Sequence, residues 1–156
     1  GRGGRGGDHT PAIPGRLLPP PSRAGGPPVW VGGASEEVAR IAGRVADAWN
    51  GWGMSMAQFR LSAATVAEAA AAHGRACDTT WAGVVVVVED EAEIPAVAAS
   101  RREKGLPEVW MGTPTALVDF SLELAEAGAT WMILASATVQ GRIELIAEAA
   151  LTEMAR

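Results

Sequence analysis

The sequence predicts an α/β protein built on a parallel sheet, and three observations predict it. The stretch Trp81–Val88 contains five consecutive valines. A β-branched run without polar alternation belongs to a strand buried on both faces, as in a parallel sheet. Shorter apolar runs at Val29–Val31, Ala48–Asn50 and Thr130–Ala135 are separated by long segments of helical periodicity. Two of those segments open on a capping hydroxyl, Ser35 before Glu36 and Glu37, and Thr113 before Pro114. Strands that alternate with helices imply a parallel sheet with helices packed outside it.

The elements follow in order. Residues 1–28 are dominated by Gly, Pro and Arg and read as a loop segment rather than core. Val29–Val31 is a short strand that runs into Gly32 and Gly33. The next helix places Glu36 and Glu37 in its first turn, where negative charge suits the dipole. Its buried stripe is Val38, Ile41, Ala42 and Val45. Ala48–Asn50 is a second strand, ending before Gly51 and Gly53. An alanine-rich helix spans about Met56 to Ala72 and stops at His73-Gly74. The valine strand follows, then a helix over Glu91–Lys104 in which Pro95 sits awkwardly for a helix interior. The Thr113-capped helix buries Leu117, Phe120 and Leu124, and Gly128 closes it. Thr130–Ala135 is the fourth strand, and Ile143–Met154 a last helix. Four strands admit two architectures: a doubly wound sheet, or part of a (β/α)8 barrel. A whole barrel takes about 250 residues, and this chain has 156.

Composition narrows the function classes. Apolar residues make up 48%, enough for a core. The net charge of −5 argues against a general nucleic-acid or membrane-surface binder. The "GRGGRGG" start resembles an RNA-binding tail, but two arginines carry little affinity. A single cysteine, Cys77, excludes an intrachain disulfide and a cysteine-based zinc site, and fits a reducing cytoplasm. No apolar run is long enough to span a bilayer, and the N-terminal residues do not read as a signal peptide. Neither His9 nor His73 sits in a pattern that suggests a triad or metal site.

The candidate site lies where the first strand meets the first helix. Gly32 and Gly33 let another group approach the backbone, and a helix start presents unpaired N–H groups carrying partial positive charge. With the Ser35 hydroxyl, these make a seat for an anion, most often a phosphate. The same pattern also serves as an ordinary strand-to-helix junction. A dinucleotide fingerprint is absent, as is a P-loop lysine, and Glu36 and Glu37 would repel an anion unless turned outward. The "AWNGWG" stretch sets Trp49, Asn50 and Trp52 at the end of the second strand, where barrels place functional groups; filling the core is the competing role. Trp30, Trp81 and Trp131 are expected to pack in the sheet.

The block "PPVWVGGASEEVARIAGRVADAWNGWG", with "TWAGVVVVVEDEAE" and "GTPTALVDFSLELAEAGATWMILA", resembles the bacterial luciferase-like monooxygenase superfamily, in particular its flavin- or deazaflavin-dependent oxidoreductases. The resemblance runs from about Leu18 and implies the C-terminal half of a TIM (β/α)8 barrel, strands five to eight, over residues 29–156. It implies FMN or coenzyme F-420 as cofactor, with the phosphate held at Gly32, Gly33 and Ser35, and with Trp49, Asn50 and Trp52 bordering the same pocket. It implies a small-molecule substrate and a cytoplasmic enzyme. No catalytic acid or base carries over, because those groups belong to strands one to four. The chain therefore reads as a fragment or truncated homologue. Two sheet edges, Val29–Val31 and Thr130–Ala135, are expected to be left free, which predicts a homodimer or an aggregation-prone chain. The alternative is a non-catalytic α/β module that dimerises through those edges.

Overall fold

The computed structural model describes residue 19, residues 21–136 and residues 143–147. Residues 21–28 contain neither helix nor strand; most of the expected 1–28 loop segment lies outside the described residues. Strand β1 (Trp30–Gly32) leads to helix α1 (Glu36–Val45), β2 (Ala48–Trp52), α2 (Met56–Ala71) and β3 (Asp78–Val87). A 3-10 turn (Glu91–Glu93) precedes α3 (Ile94–Glu103), then β4 (Trp110–Gly112), α4 (Pro114–Glu126) and β5 (Ala129–Ser136). Residues 143–147 are helical, within the last helix expected at Ile143–Met154; the remainder of that segment lies outside the described residues.

All pairings are parallel: β1 with β2, β2 with β3, and β3 with both β4 and β5. Val85 is in register with Trp110 of β4 and with Ser136 of β5, so those two strands lie on opposite edges of β3. Thr79 to Ala82 are likewise flanked by β2 and β5. Strand β4 therefore occupies the β2 edge of β3, beyond the point where β2 ends. Among the described residues, β1, β4 and β5 each have a single partner, β1 through β2 and the other two through β3; β1 and β5 are the first and last strands, which half a (β/α)8 barrel leaves as edges.

The sheet has five strands, not the four expected. Trp110–Gly112 is too short to show a period-2 pattern, and its pairing with β3 makes it a strand. Strand β3 starts at Asp78 rather than Trp81, because the polar Thr79 and Thr80 are buried with their hydroxyls bonded. Pro95 is accommodated because α3 begins at Ile94. That places the proline in the first turn, where its missing N–H has no helical partner to lose. The other ends follow the sequence. Ser35, Ser55 and Thr113 cap α1, α2 and α4 by accepting from Val38 N, Gln58 N and Ala116 N. Gly74 takes φ +63° just after α2, where a Cβ would be strained.

The two faces of the sheet differ. Register and alternation put Val31, Trp49, Gly51, Trp81, Gly83, Val85, Val87, Trp110 and Gly112 on one side. That side meets the helices. Its core joins Trp49, Trp81, Val85 and Val87 with Phe59 and Val66 of α2 and with Leu117 and Leu124 of α4. Each of these large apolar side chains contributes roughly 1.5–3 kcal/mol on burial. Helices α1 and α2 cross closely because small residues, Ala39, Ala42 and Gly43, face Ala63, Val66 and Ala70; a Cβ at Gly43 would run into Val66 O. The opposite side carries Trp30, Gly32, Ala48, Asn50, Trp52, Thr80, Ala82, Val84, Val86, Met111, Trp131 and Ile133. These residues lie outside the core cluster that the helices form, and of them Ala48, Thr80, Ala82 and Val86 are nevertheless buried.

Trp30 and Trp131 correct the expectation that they pack in the sheet. They are 45% and 61% exposed, because they project from the face that lacks helices. Trp81 packs as expected.

Candidate functional site: the C-terminal ends of strands one and two

The two ends of the sheet do different work. At the N-terminal ends of the strands, polar groups tie the chain together. Asp47 Oδ2 accepts from Val29 N at 2.7 Å, and the Arg75 guanidinium donates to Ala46 O at 2.9 Å. His73 also lies there, at the end of α2, exposed and with Nδ1 against Ala69 O. His9 lies outside the described residues. In barrels of this type the functional groups gather at the opposite, C-terminal end of the strands.

At that end, β1 passes through Gly32 and Gly33 into α1. Gly33 N donates to Asn50 O at 3.2 Å, so this N–H is committed to the sheet. The absence of a side chain at Gly33 has a packing cause: a Cβ there would approach Val38 Cγ1 at 2.8 Å. Ser35 Oγ accepts from Val38 N at 3.3 Å. The N–H groups of Glu36 and Glu37, the first two helical residues, have no partner within a helix. These two N–H groups and the Ser35 O–H proton are the donors that an anion at this turn could use. Glu36 is drawn toward Arg40, one turn along, in an ion pair. Its charge is thereby offset. Glu37 is exposed and has no such partner.

The other candidates divide by face. Trp49 is fully buried on the helix side and stacks on Phe59 with ring centroids 5.8 Å apart. Its indole Nε1 donates to Gly33 O at 3.1 Å. Trp49 therefore holds the β1 turn from beneath rather than lining a pocket. Asn50 lies on the helix-free face in register with Gly32 and Thr80. The Thr80 hydroxyl sits 2.9 Å from Asn50 Oδ1 and 3.1 Å from Trp49 O, and shares its single proton between them. Trp52 is 57% exposed. It stands between two clefts of about 550 and 540 Å3, one reaching Ala34 and Glu36 at the start of α1, the other reaching Trp110 and Phe120. The structure thus brings Gly32, Gly33, Ser35 and Asn50 together at one turn. It sets Trp52 beside that turn and places Trp49 behind it.

Trp81 repeats the Trp49 device one strand later, a feature the sequence reading missed. Its Nε1 donates to Met54 O at 2.9 Å, anchoring the loop after β2 as Trp49 anchors the loop after β1. In both cases the indole lies over the glycine two residues on. A Cβ at Gly51 would meet Trp49 Cη2 at 2.8 Å, and one at Gly83 would overlap Trp81 Cη2. Trp110 covers Gly112 in the same way. The sequence carries Trp-x-Gly four times, at 30–32, 49–51, 81–83 and 110–112; the last three cover their glycines, whereas Trp30, on the other face, does not cover Gly32.

Among the described residues no group of His, Cys, Asp and Glu is placed to hold a metal ion, and no helix is long and apolar enough to cross a membrane.

Comparison with known proteins agrees with this geometry. Residues 5–108 match the luciferase-like monooxygenase family. Among solved structures, the chain is similar to an F420-dependent secondary alcohol dehydrogenase in complex with an F420-acetone adduct. The TM-score is 0.73 at 15% identity, covering 95% of this chain and 54% of that one. It is also similar to a riboflavin lyase with modified FMN and riboflavin, at TM-score 0.72 and 16% identity, covering 96% of this chain and 47% of that one. A monooxygenase from Streptomyces bottropensis gives TM-score 0.72 at 18% identity, covering 98% of this chain and 56% of that one. The chain spans about half the length of the structures it matches. With two thirds of its sequence matched and its sheet built as half of a parallel barrel, the chain belongs to the luciferase-like monooxygenase family.

Proposed function

We propose that this chain is the C-terminal half of a flavin- or deazaflavin-dependent oxidoreductase, and that it supplies the turn seating the cofactor phosphate. The observation that carries the reading is the start of α1. Two unpaired helical N–H groups and the Ser35 hydroxyl converge at the C-terminal end of β1, in a chain of this family. The donors present fit a phosphate. Gly32 gives it access, since even a Cβ there would meet only Asn50 O, at 3.6 Å. Gly33 and Trp49 fix the turn, and Asn50 fixes its distance from β2. Trp52, exposed beside the turn, borders the space in which the rest of the cofactor would lie. When bound, FMN or F-420 supplies the redox chemistry, with oxygen in the first case and by hydride transfer in the second. The substrate is a small molecule. None of the residues at this turn is assigned as a catalytic acid or base.

Titration of the chain with FMN and with F-420 tests the reading. Ser35→Ala should weaken binding of the phosphate-bearing cofactor several-fold. Glu37→Gln removes an uncompensated negative charge from the first turn and should tighten it. Tightening is not an outcome that loss of fold can produce. Affinity unmoved by either substitution would contradict the phosphate seat.

A second reading has its own supporting observation. Trp30, Trp52, Trp131 and Ile133 are all exposed on the helix-free face. A contiguous apolar surface of that kind marks an interaction site. In this reading the chain is a non-catalytic module that pairs with a second copy along the free edges of β1 and β5.

A further inference from the structure

A second cavity, separate from the turn after β1, lies between α3 and the loop leading to β4. Its volume is about 350 Å3, at the lower end of the range for small-molecule pockets. Ile94, Leu106 and Met111 give it apolar walls, and three charged side chains reach it: Arg101, Arg102 and Glu108. Neither guanidinium has a carboxylate within ion-pair distance, although Glu108 borders the same space. Arg101 donates through Nη2 to Pro107 O at 3.2 Å, while its buried Nε has no hydrogen-bond partner. A buried donor without an acceptor costs about 1–3 kcal/mol, more when charged. The cavity is thus small, apolar-walled and lined with a net charge of one positive, and it includes a guanidinium whose bonding is incomplete.

We propose that this cavity binds a monoanionic amphiphile, a carboxylate on a short aliphatic chain. Two features favour a carboxylate over a dianion. Glu108 lines the same cavity, whose net charge is therefore one positive rather than two. A guanidinium also offers Nε and an Nη side by side, which matches the two oxygens of a carboxylate. Because Nε is enclosed, side-on engagement turns the Arg101 guanidinium toward the cavity and releases Pro107 O. The aliphatic chain lies against Ile94, Leu106 and Met111. The cavity shares the Pro107–Val109 segment with the cleft beside Trp52. An occupant here would therefore sit one loop away from that cleft.

Octanoate, octanol and octylammonium are the probes, titrated into the chain carrying 13C-methyl methionine. The expected result is that octanoate binds at least tenfold more tightly than octanol, shifts the Met111 methyl resonance, and leaves octylammonium the weakest. Arg101→Met keeps the apolar stem and should bring the octanoate-to-octanol ratio close to one. Should R101M fail to fold by circular dichroism, Arg102→Gln at an exposed position must lower the ratio instead. Equal binding of octanoate and octanol, a ratio that survives substitution, or a stationary Met111 methyl would overturn the proposal.

Discussion

The six tryptophans divide by sheet face, and the division separates what this chain completes by itself from what it leaves open. On the helix side, Trp49 and Trp81 are buried and Trp110 is half-buried, each lying over a glycine two residues on. Trp49 and Trp81 each donate an indole N–H to the loop after the preceding strand. Trp110 stacks on Phe120, which Trp81 meets edge-on. On the other face, Trp30, Trp52 and Trp131 stand exposed around the small buried residues Thr80 and Ala82. The same residue type is a structural keystone on one side and uncovered surface on the other. The difference is whether helices of this chain pack against it. In a closed barrel that second face is the filled interior; in this chain Ala48, Thr80, Ala82 and Val86 on it are buried, while Trp30, Trp52 and Trp131 are not.

Substitutions should separate the faces. The largest effect is expected at Trp49. Trp49→Ala removes a fully buried ring, its stacking on Phe59 and the bond to Gly33 O, and should cost about 3–5 kcal/mol. Trp131→Ala removes a ring that is 61% exposed in this chain and should cost clearly less to the fold itself, with any further loss appearing as weaker association. Urea unfolding of both variants checks the pair, and equal losses would erase the distinction. Next comes Gly83→Ala. Its Cβ would overlap the Trp81 ring, so the indole must shift and pull on Met54 O; overpacking of this kind costs about 1–3 kcal/mol. A neutral Gly83→Ala would show that the Trp-x-Gly contact is incidental.

The smallest effect concerns Cys77, at the margin of the covered side. Burial raises its thiol pKa first, the Asp78 carboxylate adds to this, and the Arg75 cation opposes it. Protonation is thus favoured in the folded state. Stability from this group is fully present below the unfolded thiol's pKa and declines as pH rises from there toward the folded value. Alkylation of the native chain should show a pH midpoint above that of a free thiol. A midpoint below it would mean that Cys77 faces a more positive environment than its neighbours provide.

Much of the covered side was legible in the sequence. Unbroken valines, alanine stripes and hydroxyl caps each express a local rule, and β1, β3, α1 and α4 follow from them. β4 was not legible, because three residues carry no period and the strand exists through its partner. The exposure of Trp30 and Trp131 was equally hidden. An apolar residue in a strand signals burial, but not by which part of the molecule. At the turn after β1, the glycines, the Ser35 cap and the helix start were readable as local structure, and the anion seat is the function proposed for them. The sequence did not show that Gly33 N is committed to Asn50 O, or that Val38 accounts for Gly33. It also did not show that Trp49 supports the turn from the core, since spacing alone places Trp49 and Trp52 at the same strand end without separating their faces.

The exposed tryptophans of the helix-free face bear on how the chain behaves in solution, and sizing by light scattering at low micromolar concentration tests this most directly. The apolar side chains of that face and the free edges of β1 and β5 predict that the isolated chain associates. The expected species is a dimer of twice the 16.1 kDa chain mass or larger. A stable, dispersed 16.1 kDa monomer would contradict the account, because it would show that the sheet's second face is already covered.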